Sequence, residues 1–218
     1  MHKNIKLVNS MTRTILLDID GVIVRDPLLL EHVRNNVICY VKTKLPGCKD
    51  PSRVNSILYK MYGHTGLGLN KAFQIDTSDF NKKVYTPKLI NHLLDSFKSS
   101  EFIEDSKILR EMSQKNKIVL FSNAPLEWSS RVRDEISHRM SISYDGHMKP
   151  DINAYVNFNH KNKYVFVDDK IDNLKPIQSF SHWKPVHFSE EETTDSGFLR
   201  IGTMWELDFF INSLNEWG

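Results

Sequence analysis

Residues 14–24, TILLDIDGVIV, limit the possible folds more than any other part of the chain. Thr14, Ile15, Leu16 and Leu17 form an apolar, partly β-branched run that passes directly into Asp18, Asp20 and Gly21. Such a run reads as a buried parallel strand delivering its carboxylates to the rim of a sheet. In open α/β sheets the ligand lies outside those carboxyl ends. Two carboxylates this close repel, so the site needs a cation or a proton between them. An ordinary acidic turn closed by Gly21 is the competing explanation, and the downstream sequence decides between the two.

Two further apolar runs end in polar groups. Residues 117–121, KIVLF, lead into Ser122-Asn123, and residues 164–167, YVFV, lead into Asp168-Asp169. Lys149, in HMKP at 147–150, lies between them. Helical spacing fills the intervals. Leu30, Val33, Val37 and Val41 mark one helix up to Leu45, where Pro46-Gly47 ends it. A second helix is expected over 52–62, opened by Pro51 and closed by Gly63. YGHTGLGL at 62–69 reads as a glycine-rich turn; it lacks the Lys-Ser/Thr ending of a nucleotide P-loop. Helices are expected over 77–84, 87–98 and 103–114. Another has Pro125 in its first turn and Trp128, Val132, Ile136 and Met140 on one face. A weak strand at 142–144, short helices near 152–158 and from 171, and a last strand at 186–188 follow. A closing helix buries Leu207, Phe210, Ile211 and Leu214. Residues 1–13 read as a loose lead-in. Strands alternating with helices predict an α/β protein, a parallel sheet covered on both faces.

If the three strands are neighbours, Asp18, Asp20, Ser122, Asn123, Asp168 and Asp169 converge on one rim with Lys149 above it. These groups suit phosphoryl transfer. A carboxylate can attack phosphorus and split one hard step into two, and a protonated carboxyl can supply the leaving oxygen with its proton. A hydroxyl, backbone N–H groups and a lysine can hold the phosphoryl oxygens. An acidic cluster can hold Mg²⁺, which prefers oxygen ligands. Singly, Ser122-Asn123 and Asp168-Asp169 are ordinary helix caps and Lys149 a loop lysine. Their joint position at strand ends favours a site.

The four segments resemble the haloacid dehalogenase-like (HAD) superfamily of aspartate-nucleophile phosphatases. Asp18-Ile19-Asp20-Gly21-Val22 is similar to its first motif, Ser122 at the end of KIVLFS to the second, Lys149 to the third, and VDDKIDN at 167–173 to the fourth, closed by Asn173. The resemblance implies a Rossmann-like core with Asp18 as nucleophile, Asp20 as general acid/base and Lys149 as a charge-stabilising group. It further implies phosphate contacts from Ile19, Ser122, Asn123 and Lys149. Mg²⁺ would be held by Asp18, the Asp20 carbonyl and Asp169, with Asp168 a ligand or just behind, and Asn173 supporting them.

About a hundred residues separate Asp20 from Ser122, far more than one crossover needs, and only 27 positions separate Ser122 from Lys149. The family pattern therefore implies a helical cap at 24–100 inserted into a core of 1–23 and 101–218. LYKMYGHTGLGL, SNAP and KPDINAY resemble the pyrimidine 5′-nucleotidase-like branch. That implies a nucleoside 5′-monophosphate substrate, with Tyr62 and His64 placed to contact it. A sugar phosphate or other small ester, a phosphomutase, and a non-catalytic module of the same fold are the alternatives. A two-component receiver domain is rejected because its acidic pair opens the chain, whereas Asp168-Asp169 follows Lys149. A haloacid dehalogenase would share Asp18 but lacks the second aspartate, so Asp20 favours the phosphatase.

Composition narrows the partners. A net charge of +2 gives no nucleic-acid footprint, and no apolar stretch is long enough to span a membrane. Two cysteines, Cys39 and Cys48, fit free thiols in a reducing, cytoplasmic setting, and Asp18 and Asp20 interrupt the only apolar stretch that a signal peptide could use.

Overall fold

All four residues of β1 (Thr14–Leu17) are buried, so the strand needs partners on both edges and cover on both faces. β2 (Lys117–Leu120) pairs with it on one side and β4 (Tyr164–Asp168) on the other, both parallel. In the computed structural model, which describes residues 13–144, 146–191 and 197–214, the sheet is completed by β3 (Ser141–Ile142), β5 (Trp183–Phe188) and β6 (Leu199–Ile201). The order is β3-β2-β1-β4-β5-β6, and every pairing is parallel. The chain leaves β1 toward β2 and later returns to its other edge at β4. That makes the carboxyl end of β1 the switch point of the sheet.

The register sets the rim. Leu17 stands opposite Leu120 and Val167, so Asp18, Phe121 and Asp168 follow side by side. Alternation divides the core in two. Ile15, Leu17, Ile118, Leu120, Val165 and Val167 pack against α5 (Pro87–Ser96), α6 (Ser100–Lys115), α7 (Leu126–Ile136) and α10 (Met204–Ser213). Leu16, Val119, Phe121 and Phe166 face Tyr155 of α8 (Asn153–Val156), Leu174 of α9 (Ile171–Leu174) and Ile177 at the end of the 3₁₀ turn Lys175–Ile177. The expected α/β architecture is therefore observed. Among the described residues no helix is long and apolar enough to cross a membrane.

Between β1 and α6 lie five helices: α1 (Pro27–Lys44), α2 (Pro51–Tyr62), α3 (Thr65–Phe73), α4 (Thr77–Val84) and α5. Val37, Tyr40, Val41, Leu58, Leu69, Phe80 and Val84 give the first four a core of their own. Leu89, Ile90 and Leu93 of α5 instead join the sheet's core. By packing, α5 lies with the sheet, apart from the four helices before it.

Three local expectations change. Residues 62–69 are not a turn throughout: Tyr62 ends α2, Gly63 turns at φ 69°, and Gly66 and Gly68 lie inside α3. Their lack of side chains is used for packing. A Cβ on Gly66 would lie 2.5 Å from Phe80, and one on Gly68 2.8 Å from Leu58. The helix with Trp128 stops at Ile136, so Met140 is buried beyond its end rather than on its face. The edge strand β6 was not expected, because its three residues, LRI, carry no apolar run. The lead-in falls, except for Arg13, outside the described residues.

Gly66→Ala should therefore destabilise. Overpacking against Phe80 costs about 1–3 kcal/mol, exceeding the ~1 kcal/mol gain in helix propensity. Gly47→Ala, where a Cβ meets nothing within 4 Å, should be neutral or stabilising by up to about 1 kcal/mol. Denaturant melts of both variants check the contrast; a Gly66→Ala chain as stable as wild type would contradict the packing.

Candidate active site

Asp18 leaves β1 with its backbone still paired to β4, since its N–H donates to Val167 O. The chain then curls: the N–H groups of Ile23 and Val24 both return to Ile19 O. Gly21 permits this at φ 89°, and its missing Cβ makes room for the Asp169 carboxylate, 2.5 Å from where that Cβ would lie. Only glycine meets both demands.

Lys149 lies at the centre. Its ammonium is 1% exposed, 2.6 Å from Asp168 Oδ2 and 3.0 Å from Asp18 Oδ2. Asp168 accepts four hydrogen bonds, from Lys149 Nζ, from the Lys170 N–H and at both oxygens from Asn173 Nδ2. Asn173 is in turn fixed by Tyr155, whose hydroxyl donates to the Asn173 carbonyl at 2.7 Å. Burial alone would raise the Asp18 carboxyl, but Lys149, Lys170 and the Ile19 N–H at 2.7 Å outweigh it and hold it below the usual range. Asp20 goes the other way. Burial and the neighbouring Asp18 push its carboxyl up to about 7, against the opposing pull of Lys170 and the Trp128 indole N–H, which donates to Oδ1 at 3.0 Å. The two carboxyls of one strand end are thus biased in opposite directions, Asp18 toward the ionised form and Asp20 toward the protonated one.

Asp18, Asp168 and Asp169 each offer a carboxylate oxygen, and the three oxygens lie within 4.8 Å of one another. Asp169 Oδ1 is buried without a hydrogen-bond partner, which costs free energy unless something binds it. An all-oxygen donor set with an orphaned buried oxygen fits a hard divalent cation. With its oxygens already taken, Asp168 has the least to offer such an ion.

A cavity of about 380 Å³ opens above these groups, lined by Asp18, Asp20, Ser122, Asn123, Lys149, Asp169 and Asn173 from the sheet rim. Ile19 and Asp168 lie just beneath its floor, both fully buried. Asn123 serves the loops with its side chain: Oδ1 accepts from the Lys149 N–H, and Nδ2 donates to the carbonyls of Lys149 and Gly63. Its side chain is thus taken up by the two loops. At Gly63 the insertion touches the core so closely that a Cβ would overlap the Lys149 carbonyl.

From the insertion, His64 lines the cavity but Tyr62 does not; Tyr62 packs within the insertion's own core. Tyr59, one helical turn earlier, takes the cavity position, and Lys170 lies beneath its ring at 5.3 Å. Arg34, Asn55 and Thr65 also reach the cavity, with Leu30, Val33 and Phe80 giving it an apolar side. None of Tyr59, Lys170, Arg34 or Asn55 was singled out from sequence. Lys170 was the most findable, as the residue directly after the acidic pair.

No family model and no curated sequence matches the chain. It is similar to solved structures. A HAD phosphatase from Thermococcus onnurineus aligns with TM-score 0.58 at 16% identity, covering 91% of this chain and 97% of that one. A haloacid dehalogenase-like family hydrolase from Streptococcus pneumoniae gives TM-score 0.52 at 12% identity, covering 92% and 98%. An L-2-haloacid dehalogenase from Xanthobacter autotrophicus gives 0.51 at 9%, covering 94% and 100%. The chain has the haloacid dehalogenase-like fold.

His64 also makes a stability prediction. Its Nδ1 accepts from Leu67 N–H as the cap of α3, and burial pushes its imidazole down to about 4 from 6.5. The folded chain holds it neutral while the unfolded chain protonates it. Its contribution is therefore complete above about pH 6.5 and is lost as pH falls toward 4. Between pH 7 and pH 5 it amounts to at most about 2 kcal/mol. His64→Asn keeps a capping acceptor and removes the titration, so its melting temperature should fall less over that interval than the wild type's.

Proposed function

We propose that the protein is a Mg²⁺-dependent phosphatase that hydrolyses a small phosphate monoester through an aspartyl-phosphate. The observation that carries the reading is the pairing of Asp18 with Lys149 and of Asp20 with the Trp128 indole at the mouth of one cavity. Ionised Asp18 attacks phosphorus as the ester P–O bond breaks, and the leaving oxygen takes the proton from Asp20. Asp20, now a carboxylate, removes a proton from water as it attacks the same phosphorus, which releases inorganic phosphate and restores Asp18. Lys149, Ser122 and the backbone at Ile19 and Asn123 hold the phosphoryl oxygens through both steps. Bound at Asp18, Asp169 and the Asp20 carbonyl, Mg²⁺ would neutralise charge on the phosphoryl group. Asp168 and Asn173 keep Lys149 in place. The dehalogenases share the fold, but a reaction that releases halide has no use for a proton donor at Asp20.

The chemistry is tested on a generic aryl phosphate with and without chelator. Asp18→Asn should reduce turnover to background, and chelation should abolish it until Mg²⁺ is restored. Lys149→Ala should lose about 10²–10³ in kcat. Asp20→Asn should hurt most with poor leaving groups, which alone need the proton. Substantial activity in Asp18→Asn would end the covalent mechanism.

The helices α1–α4 are proposed as the cap that selects the leaving group, and a nucleoside 5′-monophosphate as the substrate. Tyr59 offers a face for a base, with His64 and Asn55 to bond its edge or the sugar. Tyr59→Ala and His64→Ala should lower kcat/KM for the preferred nucleotide by roughly 10-fold, about 1.4 kcal/mol, and leave aryl phosphate turnover nearly unchanged. Tyr62→Ala should spare that preference. Equal losses on both substrates would mean that Tyr59 and His64 only hold the insertion together.

A further inference from the structure

On the outer side of the insertion, away from the cavity, His32 of α1 and His92 of α5 meet with their Nδ1 atoms 3.0 Å apart. Their rings are inclined at 62° with centroids 5.0 Å apart. We propose that this pair binds a borderline-soft divalent cation of the Zn²⁺ type, clamping the first helix of the insertion to α5.

Two nitrogens at this separation match what such an ion requires. With Zn–N bonds of about 2.0–2.1 Å and tetrahedral angles, two ligand nitrogens stand about 3.3 Å apart. The rings need to open by only a few tenths of an ångström. Without an ion, one Nδ1 must carry a proton and donate to the other; with an ion, both lone pairs point at the metal and that proton moves to the far nitrogen.

The second observation is the carboxylate behind His92. Asp26 caps α1, its Oδ1 accepting from the N–H groups of Leu28 and Leu29 at 2.9 and 3.1 Å. That fixes the carboxyl and leaves Oδ2 aimed at His92, 3.5 Å from Nε2. A carboxylate at that distance favours the proton on Nε2 of His92 and leaves its Nδ1 lone pair free. Metal-binding histidines are commonly backed in this way. Beside the pair runs a groove lined by Asn35, Asn36, Asn91 and Asp95, wide enough for water to complete the coordination. Two imidazoles select Zn²⁺, Ni²⁺ or Cu²⁺ and pass over Mg²⁺, so this site and the carboxylate cluster take different ions.

The test uses the full chain without a histidine tag. Zn²⁺ added alone should raise the wild-type melting temperature, and Co²⁺ should give the visible absorption of a nitrogen-liganded site. The His32→Gln/His92→Gln double variant should lose the cobalt absorption and keep only the part of the zinc shift that the carboxylate cluster contributes. His32→Gln alone should weaken Zn²⁺ at least 10-fold in competition with a zinc indicator. Asp26→Asn, which keeps an acceptor for the cap, should weaken it by roughly 10-fold. The carboxylate cluster is intact in every variant, so zinc taken there is common to all, and circular dichroism checks that the substitutions leave the fold unchanged. A double variant with the wild-type zinc shift and cobalt spectrum, or a wild type showing neither, overturns the proposal and leaves the pair as a plain N–H···N contact between helices.

Discussion

The ammonium of Lys149, almost wholly removed from water between Asp168 and Asp18, is the constraint around which the rest of the molecule is arranged. A buried charge is tolerable only when paired and hydrogen-bonded, and removing one partner of such a group typically costs about 3–5 kcal/mol. Each neighbour answers that demand. The parallel register brings Asp18 and Asp168 level, Asn173 saturates Asp168, and Tyr155 anchors Asn173. The aromatic rings of Phe121 and Phe166 stand beside it, 5.4 and 5.2 Å from Nζ. The same arrangement that makes the lysine bearable lowers Asp18, and the ionised Asp18 raises Asp20. Folding and chemical preparation of the site are therefore one electrostatic problem.

The sheet and its rim were legible because they rest on patterns that survive in one dimension. Apolar runs such as LLD and YVFVDD announce both the strand and the groups at its end. The order of Asp18, Ser122, Lys149 and Asp168 along the chain maps onto one edge because parallel strands all end on the same side. Helices opened by a proline, such as Pro51–Tyr62 and Pro87–Ser96, were equally plain. β6 was not, since its pairing depends on β5 rather than on its own three residues.

Within the insertion the sequence was a poorer guide, for a physical reason. Which face of a helix meets the cavity depends on how that helix is rotated, and rotation is set by tertiary contacts. Tyr59 and Tyr62 lie on the same helix three residues apart, yet one reaches the cavity and the other packs inward. Gly66 and Gly68 looked like turn residues, but they are where helices approach closely. The Trp128–Asp20 bond joins residues 108 positions apart, and no local pattern reports it.

Asn123 carries a consequence for timing. One amide spans Lys149 and Gly63, so the backbone that presents the lysine and the edge of the inserted helices share a fastener. Parting Gly63 from Asn123 gives up one neutral hydrogen bond, a net cost of about 1 kcal/mol, whereas the bonds to Lys149 stay behind. At that junction the latch is weak and the lysine's seat is strong. Such a junction can part without disturbing the charged floor beneath it.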